Sequence, residues 1–194
     1  MPRKREHDPD HVLLGLVSAF REGGYEGTSF SDLEAATGLD RAQLSRLYGD
    51  KRTLFLSALD RFIDIGISTY LEPLADAGRL DDIRSLLLIP SKLHGSEEGR
   101  LGCLVSNTCR EPIATDDPDV QALIQKHWRR LEGAFASALR NSVAAGDLDM
   151  SDTEIRRTAR LFYGVHVSLM VLVRAGESKS VLRDIALRAF ESID

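Results

Sequence analysis

The seven residues from Asp40 to Arg46 hold the side chains best suited to reading a polyanion: Arg41, Gln43, Ser45 and Arg46. Arginine matches guanine O6 and N7 or a phosphate, and glutamine matches adenine. Reactive groups elsewhere are sparse. None of the five histidines, His7, His11, His94, His127 and His166, has an acidic partner at the spacing of a zinc protease. There is no nucleophile elbow, no phosphate-cradling glycine loop and no paired-cysteine metal motif. No reaction assembles from these residues, so no enzyme, metal or resident cofactor is expected. Cys103 and Cys109 are six apart. On one continuous helix that is about 9 Å along the axis and far round it, too far for an intrachain disulfide. Arg110 beside Cys109 could lower a thiol pKa. That keeps open a redox- or electrophile-sensing role, against the plainer reading of two small buried apolar residues.

The elements that must position Arg41 to Arg46 are short helices. Ser29 with Asp32 makes a capping box that opens one, with Leu33 and Ala36 on its inner side. Gly38 stops it and permits a left-handed turn. Asp40 caps the next, with Gln43 at its third position, Leu44 and Leu47 as its apolar pair and Gly49 at its end. Ala35 and Ala36 are small where the two helices must cross. Two such helices around a tight Thr37-Gly38-Leu39-Asp40 turn form a helix-turn-helix, whose second helix enters the DNA major groove.

Helical periodicity runs through the rest. Val12, Leu13, Leu16, Val17 and Phe20 line one face of a first helix that Gly23-Gly24 should end. Asp50 caps a long fourth helix that should end near Pro73. Further segments are expected at 81–94, about 102–110, 118–146, 151–174 and 178–193, with a loop over Gly95–Gly99. The expected architecture is all-α, about nine helices: a three-helix head with its helix-turn-helix, then a larger bundle.

The chain has 194 residues, 43% apolar and 28% charged, with a formal charge of −5. Net acidity counts against nucleic acid, but the distribution matters more. Residues 2–5 carry Arg3, Lys4 and Arg5 with no acid, and residues 39–52 carry a local excess of two positive charges. The longest apolar stretch, Leu161 to Val173, is 13 residues, short of the roughly 20 that span a bilayer. No signal-type segment follows the first methionine. Two cysteines make no disulfide framework, so a reducing cytoplasm is expected.

The segment Ala19-Phe20-Arg21-Glu22-Gly23-Gly24-Tyr25-Glu26-Gly27-Thr28-Ser29-Phe30, then Asp32-Leu33, Ala35-Ala36-Thr37-Gly38-Leu39, Tyr48-Gly49-Asp50-Lys51 and Leu54-Phe55, resembles the amino-terminal pattern of the TetR family of bacterial transcriptional regulators. The resemblance covers about residues 6–66, and Gly102-Cys103-Leu104 looks like the start of the sixth helix in one group of such proteins. It departs from the family at Ser31, Ser45 and Leu47-Tyr48. It implies a DNA-binding domain at 6–66 and an effector-binding and dimerisation domain at 67–194. It also implies DNA contacts from a basic arm of Arg3, Lys4 and Arg5, from Thr28, Ser29 and Ser31, and from Arg41, Ala42, Gln43, Ser45, Arg46, Tyr48 and Lys51. The implied partners are a double-stranded operator, a second copy of the chain and a small effector, with repression as the family's habit. A helical adaptor without DNA binding is the alternative.

In the larger domain the resemblance places an effector among the fourth to eighth helices. Candidate contacts are Phe62, Gly66, Leu86, Leu93, Cys103, Asn107, Trp128, Phe162, His166 and Met170, with Asn107 the polar group expected to orient a ligand. His127 and Trp128 point about 100° apart, so both cannot face one cavity. Leu161 to Val173 is apolar nearly all round and must be covered on two sides. With the last helix it predicts a four-helix dimer interface using Tyr163, Val167, Val171, Val181, Leu182 and Ile185.

Overall fold

The computed structural model describes residues 8–193, and no strand occurs among them. Arg3, Lys4, Arg5 and His7 lie outside the described residues. The head comprises α1 (Pro9–Gly27), α2 (Phe30–Thr37), α3 (Arg41–Tyr48) and the start of α4 (Lys51–Gly66). The body contains α5 (Glu72–Ala77), α6 (Leu80–Leu87), α7 (Ile89–Leu93), α8 (Glu97–Leu101), α9 (Leu104–Thr108), α10 (Ile113–Asp116), α11 (Pro118–Ala144), α12 (Asp152–Arg174) and α13 (Lys179–Phe190).

All the expected segments are helical, and the differences have local causes. Gly24 takes a left-handed φ of 72°, so α1 kinks there and winds one more turn before Thr28. The fourth helix does not stop at Pro73. A π turn over Ile67–Leu71 carries it into α5, with the Glu72 N–H donating five residues back to Ile67 O. The wider register sits directly before Pro73, whose nitrogen has no hydrogen to donate. A boundary drawn at residue 66 therefore falls at the junction of α4 with this π turn. Pro90 likewise divides 81–94 into α6 and α7. The glycine-rich loop holds a short helix, α8, because Ser96 Oγ accepts the Gly99 N–H at 3.1 Å and caps it.

One apolar core runs from head to body. Phe20 and Phe55 meet edge to face at 5.0 Å inside the head, and Phe135 meets Phe162 at 5.7 Å between α11 and α12. Such pairs add about 0.5–1.5 kcal/mol to their area burial. A tight crossing lies outside the helix-turn-helix, between α1 and α2, where Gly15 abuts the Ala36 backbone; Ala35 is exposed.

Candidate functional site

The sequence builds α3 as a two-sided element. Leu44 is fully buried beneath it, while Arg41, Ala42, Ser45 and Arg46 are exposed on the outer face. Leu47, expected to pair with Leu44 in the core, is instead 54% exposed on that face. Position 47 lies 300° round the helix from Leu44, so it points 60° away from the buried direction. Gly38 takes a left-handed φ of 70° and closes α2 with an N–H to Glu34 O. Glu34 also accepts the Arg41 N–H at 2.6 Å, which fixes α3 against α2.

Several expected contact residues turn out to be committed. Thr28 is buried, and its hydroxyl donates to Gly24 O at 2.6 Å. It locks the kink of α1 and is removed from the expected DNA surface. The Ser29 hydroxyl is engaged with Asp32 in the capping box, which lowers the Asp32 carboxyl pKa. Gln43 Oε1 accepts the Asp40 N–H at 3.0 Å while Asp40 accepts the Gln43 N–H at 2.7 Å. Only the amide NH2 end of Gln43 is free. Tyr48 is half-buried against the head core, and Ser31 is exposed. The Arg41 guanidinium stacks 4.4 Å over the Phe30 ring, and Lys51 Nζ lies 5.0 Å over Tyr25. Arg52 leaves the local basic excess, because it pairs with Asp117 at 2.9 Å and with Asp119. The side chains of Arg41 and Arg46 form no ion pair among the described residues.

The body holds an apolar cavity of about 410 Å³. That lies within the size range of small-ligand sites. Phe62, Gly66, Leu86, Leu93, Cys103, His166 and Met170 line it. Three candidates do not. Phe162 is fully buried against Phe135. Asn107 donates to Leu101 O at 2.9 Å and faces the head–body junction. Trp128 packs against Tyr163 at 5.7 Å, and its neighbour His127 faces the cavity in its place.

The sequence reading missed the contribution of α1 to this wall. Leu14, Val17 and Arg21 of the head line the cavity, and Leu14 and Tyr70, each about half exposed, rim it. Arg21 donates to Glu98 at 2.7 Å and twice to Gly102 O, at 3.0 and 2.7 Å. Arg100 grips Glu22 at 2.7 and 2.8 Å, and Glu111 accepts the Glu26 N–H at 3.0 Å. Arg174 donates to Arg21 O and Leu101 O. The head is thus clamped to α8 and the Gly102 turn beside the cavity. No sequence periodicity signals these pairs, because their members lie about 80 to 150 residues apart.

Burial lowers the pKa of His127 to about 4 and that of His166 to about 4, with neighbouring His127 adding to the effect on His166. Both rings are neutral at pH 7. In the unfolded chain each titrates near 6.5, so the unfolded state takes up protons first as pH falls. Stability should therefore be complete above pH 6.5 and decline steadily down to about pH 4. By pH 5 the loss is on the order of 2 kcal/mol for each histidine. Urea unfolding at pH 7 and pH 5 should show it, and His127→Phe with His166→Phe should flatten the difference. An unchanged slope in that variant would assign the acid loss to other groups. Burial also pushes the Cys103 thiol up, and the Cys109 thiol, on an exposed residue, is raised by burial as well rather than lowered by Arg110.

The dimer candidates divide. Val171 and Val181 are exposed, at 39% and 40%, and Ile185 and Val167 are partly exposed. Leu182 is fully buried in its own chain, on a helix that packs against α6, α7 and α12. Tyr163 is partly buried against Trp128. Leu161, not anticipated, is 45% exposed. Among the described residues no helix is long and apolar enough to cross a membrane, and no cluster of metal-ligating side chains occurs.

No protein-family model matches the chain. It is 30% identical over 185 residues to an HTH-type transcriptional regulator of Bacillus subtilis, YezE, with 95% of each chain covered. It is 24% identical to the HTH-type transcriptional repressor ComR of Escherichia coli, covering 95% of this chain and 88% of that one. Among solved structures it resembles a cysteine-substituted TetR family regulator, CifR, in complex with a 26-bp operator duplex. There the TM-score is 0.84 at 24% identity, covering 99% of this chain and 100% of that one.

Proposed function

This chain belongs to the TetR family of helix-turn-helix transcriptional regulators, and we propose that it acts as a dimeric repressor released from a palindromic operator by a ligand in the body cavity. The observation that carries the DNA half is α3. Its outer face presents Arg41, Ala42, Ser45 and Arg46 without competing ion pairs, directly after a left-handed Gly38 turn. Arg41, Arg46 and Lys51 supply phosphate contacts, and the free amide end of Gln43 donates to a base acceptor. The basic arm of Arg3, Lys4 and Arg5 adds contacts along the neighbouring minor groove. Ser31 and Tyr48 flank this surface.

Release follows from the wall of the cavity. α1 and α4 belong to the head and both border the ligand space. A ligand that fits one tilt of these helices better than the other shifts the spacing of the two heads, by no more than its difference in affinity. A full switch from 99:1 to 1:99 takes roughly 5.5 kcal/mol.

Substitutions on α3 test the reading. Arg46→Ala should weaken binding to all duplexes alike and flatten the salt slope by about one unit. Gln43→Glu keeps the capping box but removes the donor, so it should change base preference at one position without loss of helix stability. Gln43→Ala should lose both. Gel-shift titration against a set of operator variants reads all three, and identical preference profiles for wild type and Gln43→Glu would take Gln43 out of the readout.

A further inference from the structure

The body cavity carries chemical information about its guest. We infer that it binds an uncharged, mostly apolar molecule with a hydroxyl group, and that His127 and His166 hold that hydroxyl. The inference rests on reading the cavity as the effector site.

The walls set the apolar character. Phe62, Leu71, Leu86, Ile89, Leu131 and Met170 surround a space of about 410 Å³. At the packing density of protein interiors such a space takes a guest of about 300 Å³. The polar groups at its border set the rest. Arg21 and Glu98 are its charged members, and they neutralise each other at 2.7 Å. The remaining Arg21 bonds go to the Gly102 and Glu98 carbonyls. A carboxylate guest would find no free cation, and an ammonium would meet Arg21 across an apolar space. Either buried charge is costly without a partner. Tyr70 stands half-exposed at the rim, and burial keeps the Cys103 thiol protonated.

His127 and His166 remain. They come from α11 and α12 and border the same space. Nδ1 of each ring is shut away from solvent without a hydrogen-bond partner. Buried polar atoms are nearly always paired, so two unpaired imidazole nitrogens on residues beside one cavity call for explanation. Both rings stay neutral at pH 7. A neutral imidazole offers a donor on one nitrogen and an acceptor on the other. A hydroxyl both donates and accepts, so it satisfies either tautomer, whereas an ether can only accept.

Trp128 is the only tryptophan in the sequence, and its ring lies 5.0 Å from that of His127. Its fluorescence therefore reports occupancy. Four probes on one skeleton separate the classes: 4-hexylphenol, 4-hexylanisole, 4-hexylbenzoate and 4-hexylbenzylammonium. The phenol should bind about tenfold more tightly than the other three, the effect of one buried hydrogen bond. In the His127→Phe, His166→Phe protein the preference for phenol over anisole should fall to about one. If that variant does not fold, His127→Leu alone should reduce the preference severalfold. Equal or tighter binding of the anisole, benzoate or ammonium probe, a phenol preference that survives in the variants, or no binding by any probe overturns the inference. Release of a labelled operator duplex is measured in parallel. Phenol-selective binding without release leaves the ligand class standing and refutes the effector reading. Release by the benzoate does the reverse.

Discussion

Alanine at position 15 is expected to destabilise the protein by about 3 kcal/mol and to abolish DNA binding. A Cβ on Gly15 would lie 2.4 Å from the Ala36 carbonyl oxygen and 3.0 Å from its carbon. Both atoms are backbone of α2, so no side chain can swing aside. Relief requires α2 to move away from α1, and α3 moves with it through the Gly38 turn and the Glu34–Arg41 bond. Overpacking of this kind costs about 1–3 kcal/mol, and a backbone obstacle sits at the upper end. Gly133→Ala on α11 is the control. Nothing lies within 4 Å of its added methyl, so the helix should gain up to about 1 kcal/mol. Urea unfolding followed by circular dichroism reads both. A wild-type midpoint for Gly15→Ala would mean that the crossing yields freely.

Charging the outer face of α12 is the second large perturbation. Leu161, Gly164, Ser168 and Val171 recur at spacings of three and four, and all are exposed in the single chain. On α13, Val181 is also exposed, at 40%. Small residues between the apolar ones let a second helix approach closely. Leu161→Arg with Val171→Arg would place four like charges across a two-fold interface. Light scattering should show wild type at twice 21.5 kDa and the variant at 21.5 kDa. Operator affinity should fall by about 10²–10⁴, because each head then binds alone. The core is untouched, since both side chains already face outward. A wild-type monomer at micromolar concentration, or an undiminished dimer in the variant, would contradict the interface.

What the sequence discloses follows the range of the physics involved. Helix ends were legible because capping boxes and left-handed glycines act within three or four residues: Ser29–Asp32, Asp40–Gln43 and Ser151–Glu154 all form. The π turn was not legible, because it depends on how Pro73 is accommodated in a helix already running. Most of the cavity wall could be placed by helix face, since Phe62, Leu86 and Met170 follow helical periodicity. His127 against Trp128 could not be resolved that way, because adjacent residues differ by a rotation that only packing fixes. Gly15 does carry a local signal, since a glycine inside an apolar helix pattern usually marks a close approach. Arg21 carried none. Its partners Glu98 and Gly102 are set by tertiary assembly, and they make the first helix both a part of the DNA head and a wall of the ligand space.

Sequence-specific recognition of duplex DNA by paired heads can be measured directly. Purified protein is incubated with a pool of random-sequence duplexes at moderate salt, and the retained duplexes are sequenced over successive rounds. The retained pool should converge on an inverted repeat whose half-site centres lie about 34 Å apart or slightly more, one turn of the double helix. Retention of duplexes with no enriched sequence, or enrichment of a single unrepeated half-site, would contradict it.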